Sequence, residues 1–265
     1  MKKKILIVLL IISCVSLVVS VCALVFLLRG GSDFDRVKES ISSFGGDTAD
    51  SSEETGDTGK TTESEEPLIN NPINFAAWQA ENPDIYAWIV VPGTPIDYPV
   101  LQREGDELYY LRRDYKGNYY YPGCIFSQSL NKKDFSDPNT LLYGHNTFDG
   151  TFFGPLHSFE DESFFNENET IYIYTPGHKF TYRIFAAYEY DSRHIMKSFD
   201  FSNKAVFSAY INSCLHPDSD ISNVREGVEI TDEDKILTLS TCMPSGDENV
   251  RYLVQGVLIK DERTK

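Results

Sequence analysis

KILTLSTCMPSGDENVRYLVQGVLI, residues 235–259, reads as strand, loop, strand. Residues 236–241 are dense in β-branched and aliphatic side chains, the composition of a buried strand, and the run ends at Cys242. After Met243, the segment Pro244, Ser245, Gly246, Asp247, Glu248, Asn249 has loop composition. Residues 250–259 resume the strand pattern, with Arg251 near the start. A thiol at the end of one strand and a guanidinium at the start of the next can face each other across a shared loop. A fixed cation beside a cysteine is a setting that stabilises the thiolate. A small core cysteine and a solvated arginine would give the same letters, so this stretch alone leaves both readings open.

Upstream, residues 139–146 read NTLLYGHN, a second apolar strand running into a polar end at His145. A cysteine, a distant histidine and a basic third group make up a cysteine-nucleophile site assembled by the fold rather than by sequence adjacency.

The 265 residues suit one sizeable domain plus extensions. Lys2, Lys3 and Lys4 precede an uncharged apolar run, residues 5–28, long enough to span a bilayer. Lysines on that side alone place residues 1–4 in the cytoplasm and the rest outside. The run exceeds the apolar region of a cleaved signal peptide. Ile11, Ile12, Ser13, Cys14 loosely fits a lipoprotein cleavage site, but strong hydrophobicity continues past Cys14. The expectation is a retained single-pass anchor in the cell membrane, with the folded domain extracellular. Of the five cysteines, Cys14 and Cys22 lie in that run, leaving Cys124, Cys214 and Cys242 outside. An odd set cannot all pair internally, which fits a free reactive thiol better than a disulfide scaffold. A formal net charge of −16 argues against nucleic acid as a partner, because there is no basic patch to release counterions.

After the anchor, Phe34, Val37, Ile41 and Phe44 give residues 33–44 a weak helical pattern. Residues 45–66 are acidic, without a large apolar side chain, and read as a disordered spacer. Residues 29–66 are thus stalk and linker, and the folded domain is residues 67–265. Phe75 and Trp78 mark a first short helix, followed by strands at 85–91 and 96–102, the latter confined to an edge or strand end by Pro99. A helical turn is expected over 106–115 and a strand over 119–128, with Cys124 as a small buried hydrophobe. Phe152, Phe153, Leu156 and Phe159, then Phe164 and Phe165, suggest two short helices packing aromatics. Residues 171–174 and 179–190 form a hairpin about Pro176 and Gly177. Residues 202–215 form an amphipathic helix capped by Ser202, with Cys214 on its apolar face. Strands dominate, so the fold class is mainly β: a closed β-barrel with peripheral helices, preceded by a transmembrane helix.

YGHN, then TLSTC with an arginine on the next strand, resembles the class B sortases, cysteine transpeptidases of Gram-positive cell surfaces. NPDIYAWIVVPGTPIDYPVLQ, residues 82–102, is similar to the entry segment of that class, as is the helix between the late strands. The resemblance covers residues 75–259. It implies a barrel of about eight strands, with Cys242, His145 and Arg251 as the catalytic residues. It also implies cleavage after the threonine of a C-terminal sorting motif on surface proteins and a thioester on Cys242. Transfer would follow to the amine of a cell-wall precursor or, less expectedly, a pilin lysine. His145 would protonate the departing amine and deprotonate the incoming one. Arg251, helped by the Met243 N–H, would bind the oxyanion. Ser240 and Thr241 are candidates for the motif pocket. His194 stands where class B relatives tend to have a tyrosine against the sorting peptide, and the chain departs from the pattern there; Ile195 beside it is a further candidate for substrate contact. His157, His178 and His216 read as structural or solvated. No cofactor is expected, and no residues have metal-ligand spacing. Two other classes remain: a membrane-anchored thiol protease with water as acceptor, and a non-enzymatic surface binding domain.

Overall fold

The computed structural model describes residues 68–265, together with Asp35, Lys38 and Glu39, which are helical. The apolar run 5–28 and the acidic spacer 45–66 lie outside the described residues. Among the described residues, no helix is long and apolar enough to cross a membrane.

Nine strands form one sheet: β1 (Ile85–Val90), β2 (Asp97–Leu101), β3 (Ile125–Phe126), β4 (Asn139–Tyr143), β5 (Thr170–Thr175), β6 (His178–Asp191), β7 (Ser222–Val224), β8 (Ile236–Cys242) and β9 (Val250–Arg263). Their order is β5-β1-β2-β3-β4-β8-β9-β6-β7, and a further β5–β6 pairing closes eight of them into a barrel. β7 adds to β6 beyond the closure, pairing Ala186 with Val224. The long ribbon of β6 and β9 runs from His178 opposite Arg263 to Asp191 opposite Val250.

Side chains alternate along a strand, so each barrel strand feeds two cores. Leu142, Leu237, Leu239, Tyr252 and Val254 point into the barrel and pack with Ile89, Ile173 and Ile184. Their neighbours Leu141, Ile236 and Leu253 face outward with Ala186 and Tyr188. That outer face is covered by α4 (Lys204–Leu215), through Phe207, Tyr210, Ile211 and Cys214. Fully burying an apolar side chain such as Phe207 or Ile211 contributes about 1.5–3 kcal/mol. A buried polar chain fixes where α4 sits. Gln255 Nε2 donates to Tyr210 Oη at 2.9 Å and to Thr238 Oγ1 at 3.0 Å, and Tyr188 Oη donates to Gln255 Oε1 at 2.9 Å. The remaining helices are short: α1 (Phe75–Glu81), α2 (Glu162–Glu167), α3 (Ile195–Ser198) and two 3₁₀ helices, Tyr109–Arg112 and Gly154–Glu160.

Several expectations from sequence need correcting. The strand expected over 119–128 shrinks to Ile125–Phe126, because Pro122 and Gly123, the latter with φ of 63°, turn the chain just before it. The helical turn expected over 106–115 is the single 3₁₀ helix Tyr109–Arg112. Pro99 does not confine β2 to an edge: β2 lies inside the sheet, and Pro99 falls before the β3 pairing, which begins at Val100. The cap of α4 is Asn203, whose side chain accepts from the N–H groups of Ala205 and Val206, while the Ser202 hydroxyl donates to Asp200. An asparagine side chain reaches the first-turn donors as well as a serine does, so composition alone could not choose between them.

Candidate active site

Three adjacent strands deliver the site. β4 and β8 run parallel, with Tyr143 opposite Ser240, and Gly144 N donates to Ser240 O at 3.2 Å. Two residues beyond that pair stand His145, just past the end of β4, and Cys242, the last residue of β8. Across the other edge of β8, Cys242 is the direct antiparallel partner of Arg251. The alternation that sends Leu141, Ile236 and Leu253 outward gives His145, Cys242 and Arg251 the same outward parity. All three line one cavity of about 270 Å³, together with Ser240, Thr241, His194 and Ile195. Cys124, Cys214 and Cys242 are all free thiols, and only Cys242 is partly exposed.

His145 is held from behind. Its Nε2 donates to the Leu111 carbonyl at 2.8 Å, and its ring stacks on Tyr121 at 5.9 Å and 24°. The Arg112 guanidinium lies over that tyrosine, 4.6 Å from its ring centroid. Burial pushes the imidazole below its ordinary 6.5; the Leu111 carbonyl opposes the shift and the Arg112 charge adds to it. A neutral ring that donates from Nε2 keeps its lone pair on Nδ1. Two glycines permit this arrangement. A Cβ on Gly123 would lie 2.4 Å from the Leu111 carbonyl oxygen, and one on Gly144 would lie 2.7 Å from the Phe153 ring.

Arg251 is fixed through Nη1, which donates to the carbonyls of Glu248 at 2.9 Å and Val250 at 2.8 Å. Among the described residues, Nε and Nη2 have no hydrogen-bond partner, so the guanidinium keeps donors to offer the cavity. Ser240 shares the outward parity of Cys242. Thr241 alternates inward: it is 2% exposed, and its buried hydroxyl has no partner among the described residues. His194 stands at the N-terminal end of α3 at the cavity wall, with Ile195 buried behind it. Neither ring nitrogen of His194 has a partner among the described residues, and burial with the nearby Lys197 charge lowers its affinity for a proton. No cluster of His, Cys, Asp and Glu that could hold a metal ion occurs among the described residues.

Sequence reasoning missed the supports. DELYYLRRDY shows only helical-turn composition, and nothing in it signals that the Leu111 carbonyl and Arg112 meet a histidine 34 residues on. For His157 the sequence points only to a structural or solvated role; its Nε2 lies 2.9 Å from the Cys242 carbonyl oxygen and its Nδ1 2.5 Å from Glu160 Oε1. The i, i+3 spacing of His157 and Glu160 was visible, but the contact with Cys242 was not.

The Sortase domain model matches residues 89–259. Sortase B of Listeria monocytogenes is 32% identical over 182 residues, 68% of this chain and 72% of that one. Among solved structures, Clostridium perfringens sortase B superposes with a TM-score of 0.63 at 32% identity, covering 71% of this chain and 100% of the other. A Staphylococcus aureus sortase B–substrate complex superposes with a TM-score of 0.63 at 28% identity, covering 73% and 87%. With a barrel-borne cysteine, histidine and arginine at one level of three strands, and relatives of this kind, the chain belongs to the sortase family of cysteine transpeptidases and resembles its class B members.

Proposed function

We propose that this chain cleaves a C-terminal sorting motif on surface proteins and joins the product to a cell-wall amine. The observation that carries the reading is the direct pairing of Cys242 with Arg251 at the strand ends, beside His145. In the first half-reaction, His145 takes the thiol proton at Nδ1, the nitrogen left open by the Leu111 contact, as sulfur attacks the scissile carbonyl carbon. The negative charge that develops on the carbonyl oxygen is met by the free donors of Arg251 and by the Met243 N–H. Collapse breaks the C–N bond, the His145 proton goes to the departing amine, and the acyl group remains on Cys242 as a thioester. An incoming amine then attacks the thioester, gives its proton to His145, and forms the new amide as the thiol is regenerated.

His194, Ile195 and Ser240 form the wall on which the motif would lie. The unpartnered imidazole of His194 supports a hydrogen bond to the peptide there. The backbone of Thr241, rather than its inward side chain, is the part able to meet substrate. The apolar run 5–28 supports a membrane-anchored enzyme acting outside the cell. Product analysis on the full-length chain with a peptide library tests the reaction, with and without an added amine. Amine-dependent formation of a new amide is expected; release of free carboxylate at the same rate in both conditions would replace transpeptidation with proteolysis.

A further inference from the structure

We propose that His157 and Glu160 are a positioning pair that holds the nucleophile's strand end in place. Carbonyls alternate sides along a strand, and the Ser240 carbonyl points toward β4, where Gly144 N–H donates to it at 3.2 Å. Two residues on, the Cys242 carbonyl points to the same side, but β4 has ended at Tyr143. His157 supplies the missing donor, with Nε2 at 2.9 Å from that oxygen. Its other nitrogen meets the Glu160 carboxylate at 2.5 Å, and its ring lies against Tyr252 of β9 at 4.9 Å between centroids. The His157 side chain is only 13% exposed.

A carbonyl oxygen can only accept, so the contact with Cys242 requires the proton on His157 Nε2, and the Glu160 carboxyl group on the other nitrogen holds the ring in that orientation. The same segment also reaches the second catalytic residue. Phe153 N donates to the His145 carbonyl at 3.1 Å, and Asn223 Nδ2 donates to the Phe159 carbonyl at 2.8 Å, fixing the far end of the 3₁₀ helix to β7. One short stretch, residues 145–160, therefore sets the backbone of both His145 and Cys242. Losing the His157 bond frees the residue that carries the thiol and the Met243 N–H that follows it.

This inference rests on Cys242 as the nucleophile, so Cys242→Ala is the control. The assay uses the full-length chain and the library peptide that the wild-type chain cleaves fastest. His157→Ala is expected to lower kcat by about tenfold with KM little changed, since geometry at the reacting atom is lost and remote binding is not. His157→Lys, which supplies a donor at that position, is expected to recover most of that loss. In the resting wild-type protein, nitrogen-resolved NMR is expected to show a proton on His157 Nε2. Melting curves identify any variant that fails to fold, and Glu160→Gln, which loses only the counter-ion, then stands in, with a smaller fall in kcat expected. An inactive Cys242→Ala with wild-type kcat in a folded His157→Ala, or in its stand-in, overturns the positioning role alone, as does a bare Nε2. An active Cys242→Ala overturns the nucleophile assignment and the proposal with it.

Discussion

Cys242, His145 and Arg251 reach the cavity from three strands, and each has a chemical signature that a substitution can isolate. Burial pushes the thiols of Cys124 and Cys214 up, whereas Cys242 is partly exposed. Limiting alkylation near neutral pH should therefore label Cys242 first, and mass spectrometry showing Cys124 or Cys214 ahead of it would remove the assignment. Cys242→Ala should abolish cleavage and adduct trapping together, with His145→Ala nearly as severe. Arg251→Lys keeps the charge but loses the planar fork, so a folded protein slowed by about 10²–10³ is expected. Near-wild-type turnover in that variant would return Arg251 to a structural role. His145 also has a pH signature. Its folded imidazole titrates below 6.5, so on acidification the unfolded ring binds its proton first. The stability it contributes is present above 6.5 and is lost as pH falls through the lower folded midpoint. An NMR titration of the ring should give that lower midpoint, and His145→Gln should flatten the melting-temperature curve across the same window. That Cys242, His145 and Arg251 share one cavity was legible in sequence because each ends or starts an apolar run. Thr241 was harder: its neighbour carries the chemistry, but strand alternation turns its own side chain into the barrel.

At the level of elements, the site depends on a contact between segments that share no pattern. The 3₁₀ helix Tyr109–Arg112 presents the Leu111 carbonyl to His145, and Gly123 packs directly against it. Gly123→Ala would put a methyl carbon 2.4 Å from that carbonyl oxygen, at a residue with φ of 63° that alanine adopts poorly. A loss of about 1–3 kcal/mol is expected. Activity should fall further than stability explains, because the displaced carbonyl no longer orients His145; melting curves and turnover measured on the same sample would separate the two. If the variant were as active as wild type at a temperature where both are folded, the Leu111 contact would be dispensable. Elements with a strong period were readable in advance: β5 and β6 from their alternation, α4 from its apolar stripe. The tract around residues 106–128 was not, since its conformation comes from Gly117, Pro122, Gly123 and exposed tyrosines rather than from any repeat. The cap of α4 shows the same limit at one position, where Ser202 and Asn203 are equally good candidates by type and only the backbone decides.

For the whole molecule, barrel closure follows from local pairing, but its consequence for function is an orientation: the three site residues all emerge on the outward face of the barrel. A transpeptidase takes an acyl donor and an amine acceptor, and both must be able to approach that face. Residues 5–28 are an uncharged apolar run behind Lys2, Lys3 and Lys4, and residues 45–66 are acidic without a large apolar side chain. We propose that the apolar run anchors the chain in the membrane and that residues 45–66 serve as a spacer, which would raise the effective concentration of the catalytic domain against anything held there. The expected topology is therefore an N-terminus in the cytoplasm and a barrel outside. Protease added to intact protoplasts, stripped of their wall, should remove the barrel and leave a short membrane-retained fragment. A barrel protected until the membrane is permeabilised would invert the orientation, and a mature chain beginning at Cys14 would replace the spanning anchor with a lipid one. Deleting residues 45–66 provides the companion test: the chain should keep its activity on a free peptide while losing activity on substrates held in the wall, because only the reach of the tether has changed.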